Sequence, residues 1–119
     1  MAGASKRSFN EPDEQRKPDK TVVDVVSLGG MNFHRATFDP GWKWSECIKP
    51  VAGTDSCQTR HVGYVVSGQL HVAHDDGSEV DLGSGDAYVI EPGHDAWIVG
   101  DDKFVGVEVS EAPDNYAKG

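Results

Sequence analysis

Short apolar runs separated by polar and glycine-containing stretches fill the chain from about residue 21 onward. The run TVVDVV, residues 21–26, is rich in β-branched residues, and NFHRATF, residues 32–38, alternates apolar and polar positions. Alternation with a period of two is typical of a half-buried β-strand, and we expect His34 to be an exposed residue of this one. Alternation in WKWSECI, residues 42–48, predicts a further strand. No segment repeats its apolar positions with a helical period over ten residues, so we predict strands rather than long helices.

The second half of the chain combines strand-like runs with turn-forming residues. HVGYVV, residues 61–66, and QLHVAH, residues 69–74, are joined by Ser67-Gly68, a pair typical of a hairpin turn. Further strand-like runs follow, separated by turns: EVDL, AYVIE, AWIVG and KFVGVEV. About eight or nine short strands with turns between them predict an all-β sandwich or closed barrel.

The two ends of the chain are predicted to lie outside this domain. Residues 1–20 are charged and polar, with two prolines and almost no aliphatic side chains. Such a segment buries too little apolar surface to offset its ordering entropy, so we predict a flexible N-terminal tail, able to dock on a neighbouring subunit as a strand. Residues 110–119 are predicted to form a second tail. The 119-residue chain therefore holds one domain, residues 21–109.

The net negative charge of the chain argues against polyanionic binding partners. Its 20 acidic and 11 basic residues give a net charge of −9. Phosphate binding needs clustered lysine and arginine, so we expect neither nucleic acid nor an anionic membrane as a partner. The N-terminus lacks the apolar core of a signal peptide, which indicates a cytoplasmic protein. In that compartment Cys47 and Cys57 are expected to be thiols rather than a disulfide.

Two segments resemble the cupin family, whose fold is a small double-stranded β-barrel. GYVVSGQL, residues 63–70, is similar to the hairpin that follows the first cupin motif, G-x5-H-x-H-x3-4-E-x6-G. GSGDAYVIEPG, residues 83–93, is similar to the Gly-Asp and Pro-Gly turns of the second motif, G-x5-P-x-G-x2-H-x3-N. The resemblance covers about residues 36–109 and implies an all-β, cupin-type barrel, or jelly roll. Cupins host many unrelated activities, so the resemblance does not specify a reaction.

The metal-binding positions of these motifs are only partly matched. His61 stands where the family usually has glutamate, while Asp55 and Cys57 stand where it has its first two histidines. In the second motif Ala96 occupies the histidine position, and His94 lies two residues earlier. Since positions two apart on a strand share a face, His94 is still able to point into the barrel.

Cys57, His61 and His94 are the candidate metal ligands. Thiolate, imidazole and carboxylate suit zinc, and the last two also suit iron, nickel or manganese, so the predicted cofactor is a divalent transition metal. On a straight strand Cys57 and His61 would lie about 13 Å apart, so both reach one ion only if residues 58–60 turn the chain, as cupins do there. Two plainer interpretations are open: histidines that serve only as hydrogen-bonding groups, and a cysteine that is a small buried hydrophobe.

Other residues are candidates for a substrate pocket. If residues 42–48 form a strand with its tryptophans inward, Glu46 follows them inside as a ligand or as a general acid or base; otherwise it is a solvated strand residue. Trp44, Tyr64 and Trp97 are candidate walls of a pocket for a small organic ligand, with ordinary core packing as the alternative.

These features support two hypotheses. The first is a small metal-dependent cupin enzyme acting on a small organic molecule; the second is a non-catalytic ligand-binding or sensory cupin module with a degenerate metal site. A nucleophilic pair of Cys57 and His61 is a weaker candidate, because the sequence shows no third group to orient the imidazole. An exposed sheet edge also needs a cover, and TVVDVV is the favoured segment for covering it, so we predict a homodimer.

Overall fold

Nine strands form two antiparallel sheets in the computed structural model, which describes residues 3–111. The six-stranded sheet has the order β1-β2-β3-β9-β4-β7, and the three-stranded sheet has the order β6-β5-β8. The strands are β1 Glu14–Arg16, β2 Thr21–Leu28, β3 Met31–Phe38, β4 His61–Ser67, β5 Gln69–His74, β6 Glu79–Gly83, β7 Ala87–Ile90, β8 His94–Ile98 and β9 Phe104–Glu111. The arrangement confirms the prediction of an all-β, cupin-type barrel.

Side-chain alternation places the core between the two sheets. On β3, burial alternates so that Ala36 and Phe38 are buried while Arg35 and Thr37 are only partly so. The expectation of an exposed His34 is wrong, because this residue shares the inward face of Ala36 and Phe38 and is only 2% exposed. The buried apolar core includes residues from both sheets and the segment between them: Val23, Val25, Phe38, Trp42, Val65, Leu70, Val72, Leu82 and Phe104.

The predicted strand over residues 42–48 is instead the start of two short helices, α1 Trp44–Cys47 and α2 Lys49–Ala52. Trp44, Cys47 and Ile48 are the buried positions, at the i, i+3, i+4 spacing of a helix. Gly53 ends α2 in the left-handed conformation with φ of 76°. Trp42 and Trp44 are spaced as inward residues of a strand would be. The segment is too short for its pattern to distinguish a strand period of 2 from a helical period of 3.6.

The segment over residues 61–74 is not a paired hairpin. β4 lies in the six-stranded sheet and pairs with β7 and β9, whereas β5 lies in the three-stranded sheet and pairs with β6 and β8. Gly68 carries the chain from one sheet to the other with φ of 86°. A Cβ there would lie 2.3 Å from the Lys103 carbonyl oxygen, so the crossing requires glycine both for its dihedral angle and for its space.

The predicted N-terminal tail contains ordered contacts with its own sheet. β1 pairs with β2, and the Gln15 side chain donates a hydrogen bond to Asp24. Arg35 donates to the Asn10 side chain and the Phe9 carbonyl, so the segment before β1 lies across the outer face of β3. The strand expected to dock on another subunit thus covers β2 of its own chain. At the other end, β9 includes residues 110 and 111, and the rest of the predicted C-terminal tail lies outside the described residues.

The loop before α1 packs against β2 and β3 through Trp42. The Trp42 ring lies parallel to that of Phe38 with centroids 3.8 Å apart, and its Nε1–H donates to the Thr21 hydroxyl at 2.9 Å. This buried hydrogen bond satisfies the indole nitrogen, which allows the whole ring to enter the core. Within residues 3–111, every helix is too short or too polar to cross a lipid bilayer.

Candidate metal centre

Three buried side chains converge inside the barrel: Cys57, His61 and His94. One potential ligand atom from each lies within 4.8 Å of the other two. The two imidazole rings have centroids 5.1 Å apart at an interplanar angle of 70°, and Cys57 Sγ lies 3.5 Å from His61 Nε2. The three residues are 6%, 7% and 3% exposed, respectively. The structure therefore brings together all three predicted ligands.

Backbone contacts hold Cys57 beside His94 and so contribute to this convergence. Cys57 bridges to the start of β8, since its N–H donates to the His94 carbonyl at 2.7 Å and its carbonyl accepts from the Gly93 N–H at 2.6 Å. Residues 58–60, which lie in no strand, helix or turn, connect Cys57 to the start of β4 at His61. Cys57 and His94 are thus neighbours across a bridge, while His61 approaches from the opposite sheet.

The remaining nitrogen of each imidazole has an acceptor. His61 Nδ1 lies 2.6 Å from Glu108 Oε1, and His94 Nδ1 lies 2.8 Å from the Glu91 carbonyl oxygen. Carboxylate and carbonyl oxygens only accept hydrogen bonds here, so both Nδ1 atoms carry the proton. This leaves Nε2 of each ring as the atom able to bind a metal, an arrangement common among metal-binding histidines.

Glu108 connects the cluster to Tyr88. The Tyr88 hydroxyl donates to Glu108 Oε2 at 2.7 Å, so the two carboxylate oxygens accept from two different side chains. Gly63 makes room for this pair, because a Cβ at residue 63 would lie 2.7 Å from Glu108 Cγ and 2.8 Å from the Tyr88 hydroxyl oxygen. A buried carboxylate with both oxygens occupied is rigidly held, and it holds the His61 ring in turn.

The cluster shifts the ionisation of its members. Burial opposes ionisation of Cys57, but hydrogen bonds from His61 and His94 outweigh it and lower the pKa of the thiol to about 6. Burial likewise disfavours a charged His61, yet the Glu108 carboxylate and the Cys57 sulfur raise the pKa of its imidazole to about 10. Burial and the neighbouring Glu108 carboxylate raise the pKa of Tyr88, which keeps its hydroxyl protonated.

The donor set fits a tetrahedral transition metal. With metal–sulfur and metal–nitrogen bonds of about 2.3 Å and 2.0–2.1 Å at tetrahedral angles, the two ligand atoms lie about 3.5 Å apart. Cys57 Sγ and His61 Nε2 already lie 3.5 Å apart without adjustment. Three protein ligands leave a fourth position for water or a substrate, as in catalytic zinc sites.

A narrow, mainly apolar cavity adjoins the cluster. Its free volume is about 40 Å³, which corresponds to about three water molecules. Its polar lining residues are Cys57, His61, His94, Tyr88, Glu108, Thr21 and Thr59. Aromatic and aliphatic residues of both sheets and of the helical segment form most of the rest, including Phe38, Trp44, Ile48, Leu70, Ile90 and Phe104.

The other predicted site residues are divided between this cavity and the surface. Trp44 is buried and lines the cavity. Glu46 is exposed, because on a helix it lies about 200° around the axis from Trp44 instead of on the same face. Tyr64 is 50% exposed on the outward face of β4, and Trp97 lies outside the cavity, against the His71 ring. The predicted inward placements of Glu46, Tyr64 and Trp97 are therefore wrong.

The sequence analysis missed Glu108 as a site residue, and it did not identify the contact that Tyr88 makes with it. On β9, Glu108 shares the inward face of Phe104 and Gly106, so a carboxylate at this position must enter the barrel. On β7, Tyr88 shares the inward face of Ile90. The signal for Glu108 was present as one acidic residue at an inward position of an otherwise apolar run.

Comparison with known proteins supports the fold. The family model described as a EutQ-like cupin domain matches residues 42–105. A comparison with curated proteins found no match. A protein of unknown function from Rhizobium leguminosarum has 18% identity and a TM-score of 0.66, with 92% of this chain and 98% of that one covered. An RmlC-like cupin from Shewanella frigidimarina has 20% identity, a TM-score of 0.64 and coverages of 95% and 96%. KdgF from Halomonas sp. has 21% identity, a TM-score of 0.62 and coverages of 97% and 99%.

Proposed function

Because the chain belongs to the EutQ-like cupin family, we propose that it binds one divalent transition metal through Cys57, His61 and His94 and acts on a small organic molecule at the open position. The observation that carries the proposal is the approach of the three potential ligand atoms to within 4.8 Å of one another. Two of these residues come from different sheets and the third from a loop, so their convergence is a property of the fold and not of local sequence.

The chemistry of the ligands favours zinc. Thiolate is a soft ligand that suits zinc and is a poor partner for manganese, which prefers oxygen donors. Iron and nickel accept imidazole but gain less from a single cysteine in a tetrahedral site. Among the four predicted metals we therefore expect zinc to bind most tightly.

The side chains around the cluster have separate roles in this proposal. A bound metal supplies Lewis acidity, which polarises a carbonyl group or acidifies a water molecule. Glu108 holds the His61 ring in the orientation and tautomer required for binding through Nε2. Tyr88 holds Glu108 through its hydroxyl, and Phe38 and Trp44 form part of the apolar wall of the cavity.

Elemental analysis of protein purified without a histidine tag tests the proposal. We expect about one equivalent of zinc per chain, lost in the double variant His61→Ala/His94→Ala. The matched control is His71→Ala, since His71 lies on the outer face of β5 and hydrogen-bonds only to Asp81 and Glu79 among the contacts described. Metal-free protein whose thermal stability is unchanged by a chelator would contradict the proposal and favour a non-catalytic ligand-binding module.

A second candidate function has one specific observation in its favour. The structure supplies the orienting group that the sequence did not show, because Glu108, His61 and Cys57 form a chain of carboxylate, imidazole and thiol. This order of groups is typical of enzymes with a cysteine nucleophile. Iodoacetamide labelling distinguishes the metal-binding function from the cysteine-nucleophile function. If the metal proposal is correct, bound zinc protects Cys57 from alkylation. Rapid labelling of Cys57 in zinc-saturated protein would favour the nucleophile.

A further inference from the structure

We infer that the metal centre takes a small uncharged polar molecule, such as an amide, alcohol or carbonyl compound, in preference to a carboxylate. The inference rests on the proposed function and specifies its substrate class. Three properties of the described residues lead to it: the charge around the three ligands, the composition of the cavity wall, and the volume of the cavity.

The charges of the loaded site cancel. A cysteine binds metal as its thiolate, which contributes one negative charge at Cys57. Glu108 is acceptor to both His61 and Tyr88, which identifies it as an ionised carboxylate and contributes a second negative charge. Both histidines bind as neutral imidazoles, so a divalent ion in this site is balanced by its surroundings. An anion entering the fourth position would make a buried site negative, at a cost that a neutral molecule avoids.

The cavity wall offers no compensating cation. Lysine and arginine are absent from the described residues that line it. Arg60 is next to His61 in the chain, but its side chain is exposed and lies 2.9 Å from Glu91 in an ion pair. An anionic group in the cavity would therefore face the Glu108 carboxylate without the guanidinium clamp that usually recognises carboxylates.

The cavity also favours a small molecule. Its volume of about 40 Å³ gives room for a few non-hydrogen atoms beside the cluster. Beside the cluster itself, most of the described residues that line the cavity are apolar, among them Phe38 and Leu70. A molecule with one polar atom directed at the metal and a short apolar part matches this composition.

Acetamide and acetate test the inference, because they have nearly the same shape and differ in charge. The full-length chain is loaded with Co²⁺, metal content is measured, and the visible absorption of cobalt is followed during titration with each compound. We expect acetamide to bind about tenfold or more tightly than acetate. Removing one negative charge with Glu108→Gln should shift the relative affinity toward acetate by about tenfold. Glu111→Gln, at the exposed end of β9, is the matched control and should leave the preference unchanged.

Equal or tighter binding of acetate by the unaltered protein would overturn the inference, and so would failure of both compounds to bind. An unchanged preference in Glu108→Gln would overturn the charge argument. Cobalt content and the sulfur-to-cobalt absorption band report on the metal site itself. Loss of these two signals would count against the proposed function, whereas their retention with the wrong ligand preference counts only against the substrate class.

Discussion

His61 Nδ1 lies 2.6 Å from Glu108 Oε1, inside a barrel where both side chains are almost completely buried. β4 and β9 are adjacent strands, and Gly63 pairs with Glu108 across them, so the contact joins neighbouring inward positions. Because a carboxylate in this position accepts the Nδ1 proton, it directs Nε2 of His61 toward Cys57. The metal-binding geometry therefore depends on a residue that is not one of the three predicted ligands.

Replacing Glu108 should weaken zinc binding, and the loss should be larger with alanine than with glutamine. Glu108→Ala removes the acceptor for His61 and leaves the Tyr88 hydroxyl without its partner, so zinc affinity should fall by about 10–100-fold. Glu108→Gln keeps an acceptor oxygen and should lose less. Competition with a chromogenic chelator measures both, with Glu111→Gln as the control on the same strand. Equal zinc affinity in all three variants would show that Glu108 does not position His61.

Zinc binding should release a proton near neutral pH. The pKa of His61 is raised to about 10, so its imidazole is protonated at pH 7 and must lose that proton before Nε2 binds zinc. The pKa of Cys57 is lowered to about 6, so the thiol is already mostly ionised. Zinc affinity should therefore rise about tenfold per pH unit above neutrality, with about one proton released per zinc ion. Calorimetry in buffers of different ionisation enthalpy counts the protons, and a release near zero at pH 7.5 would show that His61 is already neutral.

Gly68 and Gly77 should respond differently to the same substitution. Both have positive φ, of 86° and 94°, so alanine is conformationally unfavourable at each, by about 1–2 kcal/mol. Only at Gly68 does the new Cβ also meet backbone, at 2.3 Å from the Lys103 oxygen, while no atom lies within 4 Å at Gly77. We expect Gly68→Ala to cost at least about 3 kcal/mol in the free energy of unfolding, more than Gly77→Ala. Urea denaturation measures the free energy of unfolding of both variants. An equal loss in Gly68→Ala and Gly77→Ala would contradict a tight crossing between the sheets at Gly68.

We propose that the chain forms a homodimer through the outward face of β4, β7 and β9. Tyr64 and Val89 are 50% and 54% exposed there. The outward positions of these strands between residues 62 and 109 are uncharged: Val62, Tyr64, Val66, Ala87, Val89, Val105, Val107 and Val109. In a chain of net charge −9, this face allows a second copy to approach with the least repulsion.

Light scattering coupled to size-exclusion chromatography tests the dimer. We expect about twice the chain mass of 12.8 kDa for the unaltered protein, and the single-chain mass for Val89→Glu. Val51→Glu introduces the same charge at a similarly exposed residue of α2 and should stay dimeric. A monomer mass for the unaltered protein, or a dimer in Val89→Glu, would contradict this contact.

Alternation in the sequence predicted most of the strands because their inward faces are regular. The same alternation also constrains Tyr64 and Trp97. Tyr64 lies three residues from His61, and Trp97 lies three from His94, so on continuous strands neither shares a face with its histidine. Placing both histidines inside the barrel therefore required Tyr64 and Trp97 to point outward, as the structure shows.

The remaining errors arose where local pattern does not determine structure. Residues 42–48 contain two tryptophans in alternate positions, and only their packing in the closed barrel selects the helix. The separation of β4 and β5 into different sheets depends on the tight approach of Gly68 to Lys103, a contact between distant parts of the chain. The distance between Cys57 and His61 likewise depends on the bridge from Cys57 to His94, which no spacing rule supplies.

X-ray absorption spectroscopy of the zinc-loaded protein tests the central claim most directly, because it identifies the atoms bound to the metal. The account predicts one sulfur at about 2.3 Å together with imidazole nitrogens at about 2.0–2.1 Å. The sulfur should disappear in Cys57→Ser and persist in Cys47→Ser, whose altered residue lies on α1 outside the cluster. A spectrum without sulfur, or a sulfur that survives in Cys57→Ser, would contradict a metal centre formed by Cys57, His61 and His94.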